Sequence, residues 1–274
     1  MLSVRNRTSA ALPAVLSLGT FGLLLATFGL LTGCQGAGER GHVALISGEQ
    51  AYRSGAYQHA VEQITAYLRS GASGPGAARA YYVRGLAWAL LGQRQAAYGD
   101  LQRAAQDRSD PQLTWQPPAA LGVMYFEDER FEAAVRALHE AVTTMPKAPP
   151  KDALLFRLGM AQERAGRWSA ASGPFAQVAR EFPSSRYAGL AQRRLRLRAD
   201  HFAVQCGAFT QAENAQRLAA NLQAQGLETQ VRPEQRQDGT YHVVLEGRYG
   251  SYADAIRALA RVKGYVPEAV LWPG

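Results

Sequence analysis

The side chains able to do covalent or metal chemistry are few and scattered. Cysteines stand at 34 and 206, and five histidines at 42, 59, 139, 201 and 242. A zinc site needs three or four such ligands at short, characteristic spacings, which these positions do not provide. Glu127, Asp128 and Glu129 form a dense acidic run. Paired carboxylates for sugar hydrolysis must face each other across a cleft, whereas three in a row on a helical segment read as a solvated turn. Cys206 could be a nucleophile only with a base beside it, and none is legible. The expectation is a chain with no catalytic residue, no metal and no cofactor.

The elements around these residues fall into a leader, a repeat and a strand-rich end. Arg5 and Arg7 open the chain, no acidic residue precedes Glu39, and an apolar run extends from about Ala14 to Leu31. Eighteen apolar residues are also enough to span a membrane, so the ending decides. That ending, Leu31-Thr32-Gly33-Cys34, resembles the lipobox of bacterial lipoproteins. The resemblance implies cleavage of a signal peptide, residues 1–33, and lipidation of Cys34. Two or more acyl chains hold a protein on a membrane stably. Gln35 follows instead of an inner-membrane retention aspartate, which points to the outer membrane, facing the periplasm. A short linker, 34–41, would lead into the folded chain.

Glycines at 48, 85, 122 and 159 recur every 37 residues, and so do alanines at 60, 97, 134 and 171. Nine residues after each glycine stand Tyr57, Arg94, Phe131 and Trp168; sixteen after stand Ile64, Leu101, Leu138 and Phe175. Each copy reads as two amphipathic helices joined by a tight turn, small residues letting them approach and large ones filling the wedge. No copy can bury its apolar face alone. The spacing resembles the tetratricopeptide (TPR) repeat, lengthened from 34 residues to 37. The repeats and a closing helix near Ser185 to Arg198 would form an all-α solenoid over 42–198. Family geometry would place Tyr82, Phe126, Phe156 and Met160 on a concave groove for a partner protein, with Arg53 and Arg164 nearby. The same four residues would serve equally as ordinary inter-repeat contacts.

From Phe202 the pattern changes to strands alternating with helices. "FAVQC" alternates, with Phe202, Val204 and Cys206 on one face and Ala203 and Gln205 on the other. Thr210 and Glu213 sit in capping-box positions, Ala215, Leu218, Ala219 and Leu222 form a buried stripe, and Gly226 ends that helix. "LETQVRP" and "TYHVVLEG" form a hairpin. Ser251 caps a second helix whose Ile256 and Leu259 face the core, and "EAVLW" is the last strand. The order βαββαβ predicts a ferredoxin-like α+β domain over 199–274, with one sheet face covered by helices and the other open.

This segment resembles the SPOR domain, through "VQCGAF" at its start and the glycine–x–aromatic closure of "LEGRY". The resemblance implies binding to peptidoglycan glycan strands stripped of their stem peptides. Gln205 matches a strand-one glutamine and Tyr241 an aromatic on the third strand. Ala208 and Val243 stand where serine and arginine are common, and Val270 and Trp272 on the last strand are candidates to face the glycan. Trp272 alternatively ends the chain as a frayed aromatic. The same topology serves RNA-recognition domains, but residues 202–274 carry seven charges of each sign and no paired stacking aromatics. No nucleic acid is expected.

The chain therefore reads as a non-catalytic envelope lipoprotein for cell division or wall remodelling, binding glycan and a partner protein. The alternative is a scaffold of an outer-membrane assembly or secretion complex, its SPOR domain a tether. With Cys34 committed to lipid and no cysteine in 266–272, Cys206 is expected to be a free, buried thiol packing as a small hydrophobe.

Overall fold

The computed structural model describes residues 37–107, 109–236 and 238–273. The leader, 1–33, and Cys34 lie outside the described residues. Among the described residues no helix is long and apolar enough to cross a membrane. The chain divides into two compact units, one ending at Lys151 and the other starting at Asp152.

Among its described residues the first unit holds three helical hairpins: α1 (Ala37–Arg53) with α2 (Tyr57–Arg69), α3 (Gly74–Leu90) with α4 (Arg94–Gln106), and α5 (Gln116–Glu127) with α6 (Phe131–Thr144). A fourth hairpin, α7 (Lys151–Arg164) with α8 (Trp168–Glu181), belongs essentially to the second unit. Tyr57, Arg94, Phe131 and Trp168 each open the second helix of a pair. The packing reason for the repeat is a knob in a missing side chain's place. A Cβ on Gly85 would lie 2.8 Å from Leu101 Cγ, on Gly122 2.6 Å from Leu138 Cγ, and on Gly159 2.6 Å from Phe175; on Gly48 it would collide with Ile64. The side chain sixteen residues on thus fills the space its glycine leaves. The alanines Ala60, Ala97, Ala134 and Ala171 are all buried beside these contacts.

The turns follow the same register with one exception. Gly55, Gly92 and Gly166 occupy the left-handed region, and in the third hairpin that position is Glu129, at φ 56°. A side chain there costs about 1 kcal/mol or more relative to glycine. Glu129→Gly is therefore expected to stabilise the first unit by about 0.5–1 kcal/mol after the looser unfolded chain is counted, and so to raise its midpoint of thermal unfolding. An unchanged or lower midpoint would count against strain at this turn. The rest of the acidic run is bound between repeats: Arg94 donates to Asp128 Oδ2 (3.0 Å), Glu127 Oε2 (3.3 Å) and the Met124 carbonyl (2.9 Å), and Tyr98 donates to Asp128 (2.7 Å). The run is a turn, as expected, yet it is anchored as well as solvated.

In the second unit, α9 (Ala188–Leu197) follows the fourth hairpin and leads to β1 (Phe202–Phe209), α10 (Ala212–Ala224), β2 (Thr229–Arg236), β3 (Gly239–Tyr249), α11 (Tyr252–Val262) and β4 (Val270–Trp272). The sheet order is β2-β3-β1-β4, with every neighbouring pair antiparallel. Pro233 lies on β2, an edge strand, where a missing N–H costs no ladder bond. Val204, Cys206 and Val244 meet Ala215, Ala219, Leu222, Ala258 and Val262 in the core between the sheet and its two helices.

Two local readings are corrected. Helix α10 starts at Ala212 with Gln211 as its N-cap and no side-chain cap bond, so Thr210 and Glu213 form no capping box. In α11 the buried face is Ala255, Ala258 and Val262, while Ile256 is 38% exposed. Small residues let that helix lie close to the sheet, which turns the larger Ile256 to the flank. Ser251 does cap α11, accepting from the Asp254 N–H at 3.1 Å.

Both half-domains close with the same device. The Phe209 ring lies where a Cβ on Gly207 would be, 2.8 Å away, and the Tyr249 ring covers Gly247 in the same manner. Gly247 has φ 71°, so the position requires glycine on both counts. Tyr249 and Arg261 then both donate to the buried Glu246 carboxylate, at 2.9 and 2.7 Å. These are the "GAF" and "G-x-Y" signatures expressed as packing.

Candidate functional site

The sheet face away from α10 and α11 collects the six positions singled out in sequence. Strand alternation and register bring Gln205 opposite Leu245 and Val270, Ala208 opposite Val243, and Trp272 opposite Ala203, with Tyr241 farther along β3. Their accessibility differs sharply. Val270 is 46% exposed; Gln205, Ala208 and Tyr241 are half-buried; Val243 and Trp272 are 1% and 2% exposed.

What buries the last two is the C-terminal end of α9. Leu197 packs with Ala203, Val243, Leu245 and Trp272 in a second core cluster, flanked by Ala199, Ala208 and Tyr241. The Leu197 carbonyl accepts from Arg232 at 2.6 Å, and the Arg232 guanidinium also lies 5.1 Å from the Trp272 ring. One turn earlier, Arg193 pairs with the buried Glu234 on β2 at 2.9 Å. The centre of the face is thus sealed by the preceding helix, and Trp272 is a core residue, neither a platform in solvent nor a frayed end. Arg232, Glu234 and Leu197 escaped the sequence reading. A signal was present: an arginine-dense helix, "QRRLRLR", just ahead of a neutral domain, with Glu234 and Arg232 alternating on the strand it meets.

Helix α9 is fixed on its other side too. Arg194 donates to the buried Glu163 of α7 at 3.0 Å, and Phe156 of α7 stacks on Tyr187 at 5.3 Å. Arg164 lies 4.7 Å from the Tyr252 ring, and Trp168 meets Phe202 edge-on at 4.7 Å. The fourth hairpin is therefore built into the same compact unit as the sheet.

The four positions expected on a partner groove separate as well. Tyr82 and Phe156 are buried, because each lies three residues before a packing glycine and so shares its inward helix face. Phe126 and Met160 are half-buried, Phe126 lying edge-on to Phe131 at 5.7 Å. Arg53 pairs with Glu49 on its own helix at 3.5 Å.

Among the described residues no group of three or more His, Cys, Asp or Glu side chains is arranged to hold a metal. Cys206 is free and buried; burial first, then the neighbouring Glu246, push its thiol up to about 11. It packs as a small hydrophobe in the core between the sheet and its helices.

Residues 199–272 match the family described as the SPOR domain. This segment is a SPOR domain. Such a domain implies peptidoglycan binding. No curated protein matches the chain. Solved structures similar to part of this chain include MamA AMB-1 (21% identity, 58% of this chain and 86% of that chain, TM-score 0.47) and MamA from Desulfovibrio magneticus RS-1 (15% identity, 59% and 85%, TM-score 0.49). The SPOR domain here departs from an open-faced module in one respect: α9 lies across its sheet.

Proposed function

We propose that this chain is a non-catalytic outer-membrane lipoprotein, anchored through Cys34 and facing the periplasm. Its SPOR domain binds peptidoglycan glycan strands and its helical hairpins hold a partner protein, in cell division or wall remodelling. The observation that carries the reading is the SPOR match over 199–272 on a sheet whose Gln205 and Val270 remain accessible. A sugar ring offers apolar C–H faces to Val270 and Tyr241 and hydroxyls to the Gln205 amide, which can both donate and accept.

Co-sedimentation of the full-length chain with wall sacculi tests it. Peptide-stripped sacculi should pellet the protein more efficiently than intact ones, and Gln205→Ala should weaken pelleting several-fold without changing thermal unfolding. Equal pelleting of the variant would remove Gln205 from the site, and no pelleting at all would end the glycan reading. A fluorescent fusion forming a midcell band that disappears with deletion of 202–274 would support the division role; a uniform peripheral signal favours a scaffold tethered to the wall.

A further inference from the structure

With the centre of the face sealed by Leu197, a strand of sugar can lie only along what stays open. One strip is Gln205 with Val270. The other lies where α9 passes the β2–β3 turn, in a cleft of about 370 Å³. One wall is Arg186, Leu190, Arg193 and Arg196; the other includes Arg236 and Asp238. Leu190 is 49% exposed in this cleft, apolar surface suited to the C–H face of a sugar.

The charges do not cancel. Glu234 at the back accepts from Arg193 (2.9 Å) and Arg236 (3.1 Å), and Asp238 accepts from Tyr241 (2.7 Å). Arg186 donates to the neutral Tyr187 hydroxyl at 2.6 Å. Arg196 is exposed and has no ion pair among the described residues. Four guanidiniums thus face two carboxylates, and Arg186 and Arg196 remain available. The cleft is continuous with the sheet face through Tyr241, whose ring lies 4.5 Å from the Arg236 guanidinium.

Guanidinium forks match carboxylates in a planar, two-point geometry. Hydrolysis of the amide that joins a stem peptide to its sugar adds water across the C–N bond, leaving a carboxylate on the sugar and an amine on the peptide. A stripped strand therefore presents carboxylates where an attached strand has neutral amides. We propose that the arginine cleft between α9 and the β2–β3 hairpin is a carboxylate subsite for peptide-stripped glycan. The subsite rests on the glycan reading above, and α9 with the turn before it, outside the SPOR strand–helix core, supplies three of its four guanidiniums.

The test measures binding of soluble peptide-stripped glycan to the full-length chain in detergent. One arm uses native glycan and a second uses glycan whose carboxyls have been reduced to alcohols. The wild-type chain should bind the native form about tenfold or more tightly over the reduced form, the scale of one charge-assisted contact. The double variant Arg186→Gln/Arg196→Gln, which breaks no ion pair among the described residues, should lose that ratio while binding the reduced form as before. If the wild type binds both forms equally, the subsite is wrong and the glycan reading stands. Failure to bind either form overturns both. A third arm adds inorganic phosphate: displacement of native glycan at equimolar phosphate would make the cleft a general anion site and overturn the carboxylate assignment.

Discussion

Replacing Trp272 by alanine is expected to destabilise the second unit by about 3–5 kcal/mol, the range for emptying a large buried aromatic site. The ring is 2% exposed and touches Leu197, Ala203, Val243 and Leu245. Its loss would open a cavity between α9 and the sheet and free the Arg232 guanidinium from its aromatic partner. The unfolding midpoint should fall by roughly 10 °C or more for a unit of this size. A tryptophan acting as a solvent-facing sugar platform would give the opposite pattern, in which binding falls and the midpoint holds. Thermal unfolding of Trp272→Ala beside Trp272→Phe distinguishes the two, with phenylalanine expected to recover a large part of the loss.

The second large effect is on the pH axis. Glu163 and Arg194 lie 3.0 Å apart and both are almost fully buried. Burial pushes the Glu163 carboxyl up to about 7 despite the opposing pull of Arg194 and Arg164. Burial likewise lowers Arg194 despite Glu163. Removing both groups from water therefore outweighs their attraction. The folded state keeps the Glu163 proton to higher pH than the unfolded state, so folding takes up a proton between the ordinary glutamate range and pH 7. Stability contributed here is fully present at low pH, falls as pH rises through that window and levels off above it, by at most about 3 kcal/mol. Denaturant titrations of the second unit between pH 4.5 and 8 should show this slope, and Glu163→Gln should remove it. A slope unchanged in Glu163→Gln would assign the proton to another group. Glu163→Ala, which leaves Arg194 buried without its partner, should cost more than the glutamine variant.

Much of the fold was legible because it rests on periodicity. The 37-residue spacing of glycine and of the large residue sixteen positions on is the packing itself, and each half of the SPOR domain carries its glycine–x–aromatic closure in sequence. The site was only half legible. Strand alternation groups Tyr241 with Val243 and Val270 with Trp272, because period two is a local property, whereas Gln205 and Ala208, three residues apart, share that face only through the register shift in β1 between Gln205 and Gly207. Whether that face stays open depends on a helix contributed by the preceding segment, and no local pattern states where α9 lands. The same limit applies to Tyr82 and Phe156, whose helix was evident while its rotation was not. Charge is subject to the same limit. Arginines whose placement no local pattern states are committed to buried carboxylates, through Arg84 with Asp100, Arg194 with Glu163 and Arg193 with Glu234.

β1 is the strand through which the helical segment joins the sheet, and it is hydrogen-bonded on both sides, to β3 and to β4. A chain held by lipid at one end and by the wall at the other would carry tension along this strand. Ladder bonds lie perpendicular to the strand, so a pull along it loads two ladders together in shear instead of opening them one bond at a time. Held in that way, the domain would be a mechanical coupling as well as a recognition surface, with α9 clamped to Glu163 and Glu234 where the load would arrive.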